Sequence, residues 1–203
     1  MSVKFLTAQE TLKPFVDHYG DNLVLEGFPA ISKDGTHYLV VYSQYVCCIV
    51  PEETLQKIDL KSGKILDEIL LSRSQVEEQF TVQEQKEISE EVQQLLDSDS
   101  YTSFIEIEIF KPVYSKDKKM HIEVSILDRI YRSEEIVLSR IPSHGFCCNG
   151  GTDIEENCLL YQTIIAVYLS MEHKVLLIES GLDQMMDGCD QGPFYKVIPL
   201  VVD

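Results

Sequence analysis

The spacing of apolar and polar positions along this 203-residue chain changes rhythm several times, and each rhythm predicts an element. Between residues 28 and 71, short apolar runs alternate with turn signals and no helical period is visible, which reads as strands. Asp34-Gly35 is a favoured two-residue hairpin turn, and the mostly apolar run over 37–50 predicts a central strand covered on both faces. Runs over 54–60 and 64–71 flank Lys61-Ser62-Gly63, a compact turn that makes them a hairpin.

The rhythm becomes helical after residue 80. Thr81-Val82-Gln83-Glu84 has capping-box spacing, and Ile88, Val92, Leu95 and Leu96 fall on one helical face, predicting an inserted helix near 82–96. Glu84, Glu87, Glu90 and Glu91 lie largely off that stripe, as a solvated face would. A second capping-box spacing, Thr7 to Glu10, predicts a short helix to about residue 17, with Pro14 kinking it or delaying its start. The intervening run over 22–25 reads as a strand.

Alternation of period two returns over 102–110 and 120–127. It places Ile105, Ile107, Ile109, Ile122, Val124 and Ile126 toward a core, with Glu106, Glu108, His121, Glu123 and Ser125 on the wet face. A loop bearing Pro and Lys joins the two runs, and 131–141 is the third strand of the group. After Pro142 the stretch 143–153 is irregular; 158–170 and 173–180 form an apolar hairpin, 181–192 an acidic loop, and 194–202 a closing strand. The fold class is therefore mainly β, with α+β as the wider class. About nine to eleven strands form antiparallel sheets, arranged as a sandwich or as incomplete propeller-like blades.

Two segments repeat approximately. Asp67-Glu68-Ile69-Leu70-Leu71-Ser72-Arg73 returns as Glu134-Glu135-Ile136-Val137-Leu138-Ser139-Arg140, which divides a single domain over 1–203 into two related β units, about 28–73 and 102–140, plus a C-terminal hairpin region. Pro29-Ala30-Ile31-Ser32-Lys33-Asp34-Gly35, then an apolar strand, then Ile58-Asp59-Leu60-Lys61-Ser62-Gly63, resembles one blade of a TolB-type or WD-repeat β-propeller. That resemblance implies a binding scaffold, usually for proteins.

Composition narrows the partners more than the fold. A formal charge of −17 repels a phosphate backbone, so nucleic acid is disfavoured and a basic protein or peptide, or a divalent cation, suits the surface better. No stretch approaches the roughly 18 consecutive apolar residues that a bilayer span needs. The first residues lack the basic, apolar and small-residue order of a secretory signal, so the expected compartment is the cytoplasm, or the periplasm or exterior if a leader was removed. Oligomeric state is open.

Chemistry concentrates after Pro142. His144, Cys147, Cys158 and Cys189 have the ligand types of a tetrahedral zinc site, though only the His-x-x-Cys pair is close in sequence. The same thiols allow a disulfide joining Cys147 or Cys148 to Cys158 or Cys189, with reduced thiols, including Cys47 and Cys48, as the cytoplasmic alternative. Asp183, Asp187 and Asp190, with Gly188 and Gly192, form a carboxylate-rich loop for calcium, without EF-hand spacing. Glu106, Glu108, His121 and Glu123 are candidates for acid and base groups on one sheet face. There is no P-loop, Gly-x-Ser-x-Gly elbow or His-Glu-x-x-His. The sequence thus favours a noncatalytic interaction module that needs no cofactor, and its rival is a zinc- or cysteine-dependent enzyme centred on 143–190.

Overall fold

The computed structural model describes residues 13–19, 22–43, 52–74, 76–114, 120–126, 129–136, 140–142, 159–182 and 193–202. It is mainly β with antiparallel sheets and an inserted helix. The chain enters as a hairpin, β1 (Phe15–Tyr19) and β2 (Asn22–Glu26), paired from Phe15 with Glu26 to Tyr19 with Asn22. The expected first helix is therefore corrected over 15–17, while 7–12 lie outside the described residues. Pro14 cannot donate to a helical ladder, whereas β2 supplies partners for the following backbone and lets Val16, Leu23 and Leu25 pack on one core.

The first sheet has the order β6-β5-β4-β3-β7, built from β3 (Ala30–Ser32), β4 (His37–Ser43), β5 (Glu53–Asp59), β6 (Ile65–Ser72) and β7 (Tyr101–Ser103). Asp34 and Gly35 sit in the β3–β4 turn, but four residues separate the strands instead of two. The reason is local: Ser32 Oγ accepts the His37 N–H at 3.2 Å and donates to Asp34 Oδ1 at 2.7 Å, replacing a backbone pair. At the β5–β6 turn Asp59 Oδ1 accepts from the Ser62 N–H and hydroxyl, both at 2.6 Å, and Gly63 takes φ +67°. These bonds hold the Asp59 carboxyl below its usual range.

β4 is covered on both sides, as its apolar run demands: Leu39 enters one core while Tyr38 and Val40 enter another. The first of these cores lies under helix α1 (Val82–Asp99). Thr81 Oγ1 accepts the Glu84 N–H and the Glu84 carboxylate accepts the Thr81 N–H at 2.7 Å, a complete capping box. Ser100 in the left-handed region, φ 53°, ends the helix. Val92 and Leu96 are buried, with Ile88 and Leu95 beside them, against Ala30, Leu39, Leu55 and Ile69 of the sheet. Each fully buried side chain such as Leu39 or Leu55 contributes about 2 kcal/mol relative to exposure.

The alternation expected over 102–110 does not run as one strand. β7 belongs to the first sheet, while β8 (Ile105–Glu106) pairs with β13 (Leu159–Ser170) of the second, and Phe104 is buried at the crossing. Changing sheets resets the period, so Ile107 is 5% exposed whereas Ile105 and Ile109 are 45% and 72% exposed.

The second sheet follows β12-β13-β14-β15-β11-β10-β9 and curls as a half-barrel. Its strands are β9 (Lys111–Tyr114), β10 (Met120–Ile126), β11 (Arg129–Ser133), β12 (Arg140–Pro142), β13 (Leu159–Ser170), β14 (Val175–Leu182) and β15 (Phe194–Val202). Part of the expected Pro- and Lys-bearing loop is thus strand; Pro112 is tolerated because β9 is an edge. The third strand ends at Ser133, after which Ile136 bridges to Met120. Of the repeated segments, 67–72 lies in β6, Glu134 and Glu135 lie outside strands, and 137–139 are outside the described residues.

Inside the half-barrel, Ile122, Val124, Val167, Leu176 and Ile198 share a core. On its other side Val175 and Leu177 meet Ile31, Tyr38, Val40 and Ile58, so the two sheets pack face to face. Among the described residues no helix is long and apolar enough to cross a membrane.

Candidate functional site

Among the described residues two places stand out, a polar cluster around Asp99 and a groove with carboxylates beside it. The first closes the C-terminal end of α1. Asp99 Oδ2 accepts from Lys57 Nζ at 2.8 Å, Ser98 Oγ at 3.0 Å and Tyr101 Oη at 3.3 Å. Buried His37 brings Nε2 to 3.2 Å from the same oxygen without hydrogen-bond alignment, and its ring meets Tyr101 edge-on at 5.4 Å. The Lys57 bond holds the Asp99 carboxyl below its usual range against the opposing effect of burial. Burial pushes the Tyr101 hydroxyl upward, with Asp99 adding to it. A carboxylate at a helix C-terminus opposes the helix dipole, and here the Lys57 ammonium compensates.

The second is a groove of about 380 Å³ between the β1–β2 hairpin and the two sheets. Its apolar wall includes Leu23, Leu25, Phe28, Val41 and Leu71; Glu53, Tyr168 and Tyr195 supply the polar side chains. Gly27, at φ +80°, carries the chain from β2 toward Phe28, and a Cβ there would come within 2.9 Å of the Pro14 backbone. Glycine is what allows the hairpin to lie along the groove. Tyr168 Oη donates to Glu179 Oε2 at 3.1 Å, and Tyr195 Oη donates to the Val41 carbonyl at 3.4 Å. Burial raises the Glu179 carboxyl above its usual range; the Tyr168 bond opposes this and Glu106 adds to it.

His144, Cys147, Cys158, Cys189, Asp183, Asp187 and Asp190 all lie outside the described residues, as do Cys47, Cys48 and Cys148. Among the described residues no group of three or more His, Cys, Asp or Glu side chains is placed to hold a metal. The expected acid–base face separates into two places. Glu123 accepts from Arg132 Nε at 3.0 Å, with His121 at 3.5 Å and Lys111 at 3.6 Å, and the Arg132 bond lowers its carboxyl. Glu106 instead stands on β8 in register with Tyr168, on a different part of the sheet.

The groove residues carry no motif, and nothing local marks Tyr168 or Tyr195. Glu179 does leave a trace: it interrupts the apolar run of β14, where a charged side chain is out of place. Comparison with family models, curated proteins and solved structures finds no match to this chain.

Proposed function

We propose that this chain is a noncatalytic interaction module that docks a basic, partly apolar segment of a partner protein in the groove beside the β1–β2 hairpin. The observation that carries this reading is the groove itself: an apolar wall from Leu23, Leu25, Phe28, Val41 and Leu71, with the Glu53 carboxylate at it. Apolar clefts with a few placed polar groups are the usual form of a binding site, and a chain of −17 attracts cationic partners at long range. The four-stranded meander β3–β6, with Asp34-Gly35 and Asp59 to Gly63 at its turns, supports reading this half as a blade-like scaffold akin to the propeller families. Scaffolds of that kind present loops and clefts to other proteins.

An array of Lys- and Arg-containing apolar peptides, followed by calorimetry of the hits, tests the reading. Binding is expected to weaken as salt rises, because part of the attraction is electrostatic. Leu23→Trp fills the groove and, in a chain without tryptophan, also reports folding by fluorescence. Hits that bind folded Leu23→Trp as tightly as the parent, or an array without hits, overturn the proposal.

A further inference from the structure

Resting on that groove, we infer that its polar wall is built to read a protonated amine or guanidinium, and that Glu179 sets this preference through Tyr168. Among the described residues, the polar side chains of the groove are Glu53, Tyr168 and Tyr195, and each offers an acceptor. Glu53 is a carboxylate. The hydroxyl protons of Tyr168 and Tyr195 are committed to Glu179 Oε2 and to the Val41 carbonyl, so each phenol meets anything else through its oxygen. Among the described residues no Lys, Arg, His, Asn or Gln lines the groove. A ligand that only accepts would find no side-chain donor among these described residues, whereas a cation with several N–H groups matches them.

Glu179 stands behind this wall. Val175 and Leu177 point from β14 into the core between the sheets, and period-two alternation puts Glu179 on the same face. It lies in register with Tyr195 on β15, and Tyr168 of β13 reaches its carboxylate. Both tyrosines of the groove are therefore its neighbours. Among the described residues no Lys, Arg or His comes within ion-pair distance of Glu179, while Glu106, in register with Tyr168, adds a second negative charge. A half-buried carboxylate satisfied only by a hydroxyl polarises that hydroxyl and leaves its own charge uncompensated within the chain. An incoming cation supplies the missing charge, at a site where water screens it less than at the surface.

Nuclear magnetic resonance of the full chain, following groove tyrosine and leucine signals, tests this with n-hexylammonium, n-hexylguanidinium and neutral 1-hexanol. The cations are expected to bind about tenfold more tightly than the alcohol. Glu179→Gln keeps an acceptor for Tyr168 but removes the charge. It is expected to abolish most of that preference while leaving hexanol affinity unchanged, and Tyr168→Phe is expected to act in the same direction. Equal binding of all three probes, a preference that survives Glu179→Gln, or one lost only in Glu53→Gln overturns the inference while leaving the groove reading intact. If no probe perturbs the groove signals, both readings fall.

Discussion

Asp99 and Glu179 are both partly buried carboxylates against a sheet, yet their surroundings push them in opposite directions. Asp99 gathers Lys57, Tyr101 and Ser98 with His37 alongside, and its carboxyl is lowered. Glu179 has a tyrosine hydroxyl and a like-charged neighbour, and its carboxyl is raised. A carboxylate compensated by a cation of its own chain holds elements together. One left short of charge lowers the stability of the empty protein and gains when a cation arrives. That contrast separates a structural clasp from the wall proposed above to bind a cation, without any motif.

Removing the clasp is expected to have the largest effect. Asp99→Ala leaves Lys57 and Tyr101 without their shared acceptor and frees the end of α1 from β5; a loss of about 2 kcal/mol in urea unfolding is expected. A loss under a few tenths would make Asp99 a surface ion pair of little consequence. The opposite end of the same helix gives the next effect. Thr81→Ala removes one half of the capping box and is expected to cost about 1 kcal/mol, measured in the same way.

Glu179→Gln should be smaller and of opposite sign. A neutral amide in a half-buried place is expected to stabilise the chain by about 0.5 kcal/mol at neutral pH. Destabilisation would mean that Glu179 is compensated like Asp99, and the contrast would fail.

The two carboxylates also predict opposite pH dependence. Asp99 is lowered from 3.8, so its contribution is full above the unfolded value and is lost as pH falls through the folded one. Glu179 is raised from 4.5, so its contribution is full below that value and is lost as pH rises through the folded one. Melts against pH should therefore show Asp99→Asn converging on the parent in acid, with the advantage of Glu179→Gln disappearing there too. A Glu179→Gln advantage that persists at pH 3 would have a cause other than charge.

Much of the local structure was legible in the residues. The Thr81 to Glu84 box and the stripe at Ile88, Val92, Leu95 and Leu96 mark α1, and Lys61-Ser62-Gly63 marks the β5–β6 turn, because caps and turns are satisfied by side chains a few positions away. Runs that are apolar on both faces, as in β4 and β14, read as strands buried between layers. The candidate site was far less legible. The sequence pointed to His144, Cys147, Cys158 and Cys189, outside the described residues, whereas the groove joins Leu25, Val41, Tyr168 and Tyr195 from distant parts of the chain.

What the sequence determined by itself was the type of most elements, the inserted helix and the acidic balance, since each depends on neighbouring residues or on composition. Tertiary structure alone decided that 15–19 pairs with β2 instead of forming a helix, and that 101–106 passes from one sheet to the other at Phe104. It also decided which carboxylate has a cation beside it. Asp99 and Lys57 are 42 positions apart, and Tyr195 reaches Val41 across 154. Burial and charge compensation are set by packing between such distant segments, and local residue patterns do not encode which of them meet.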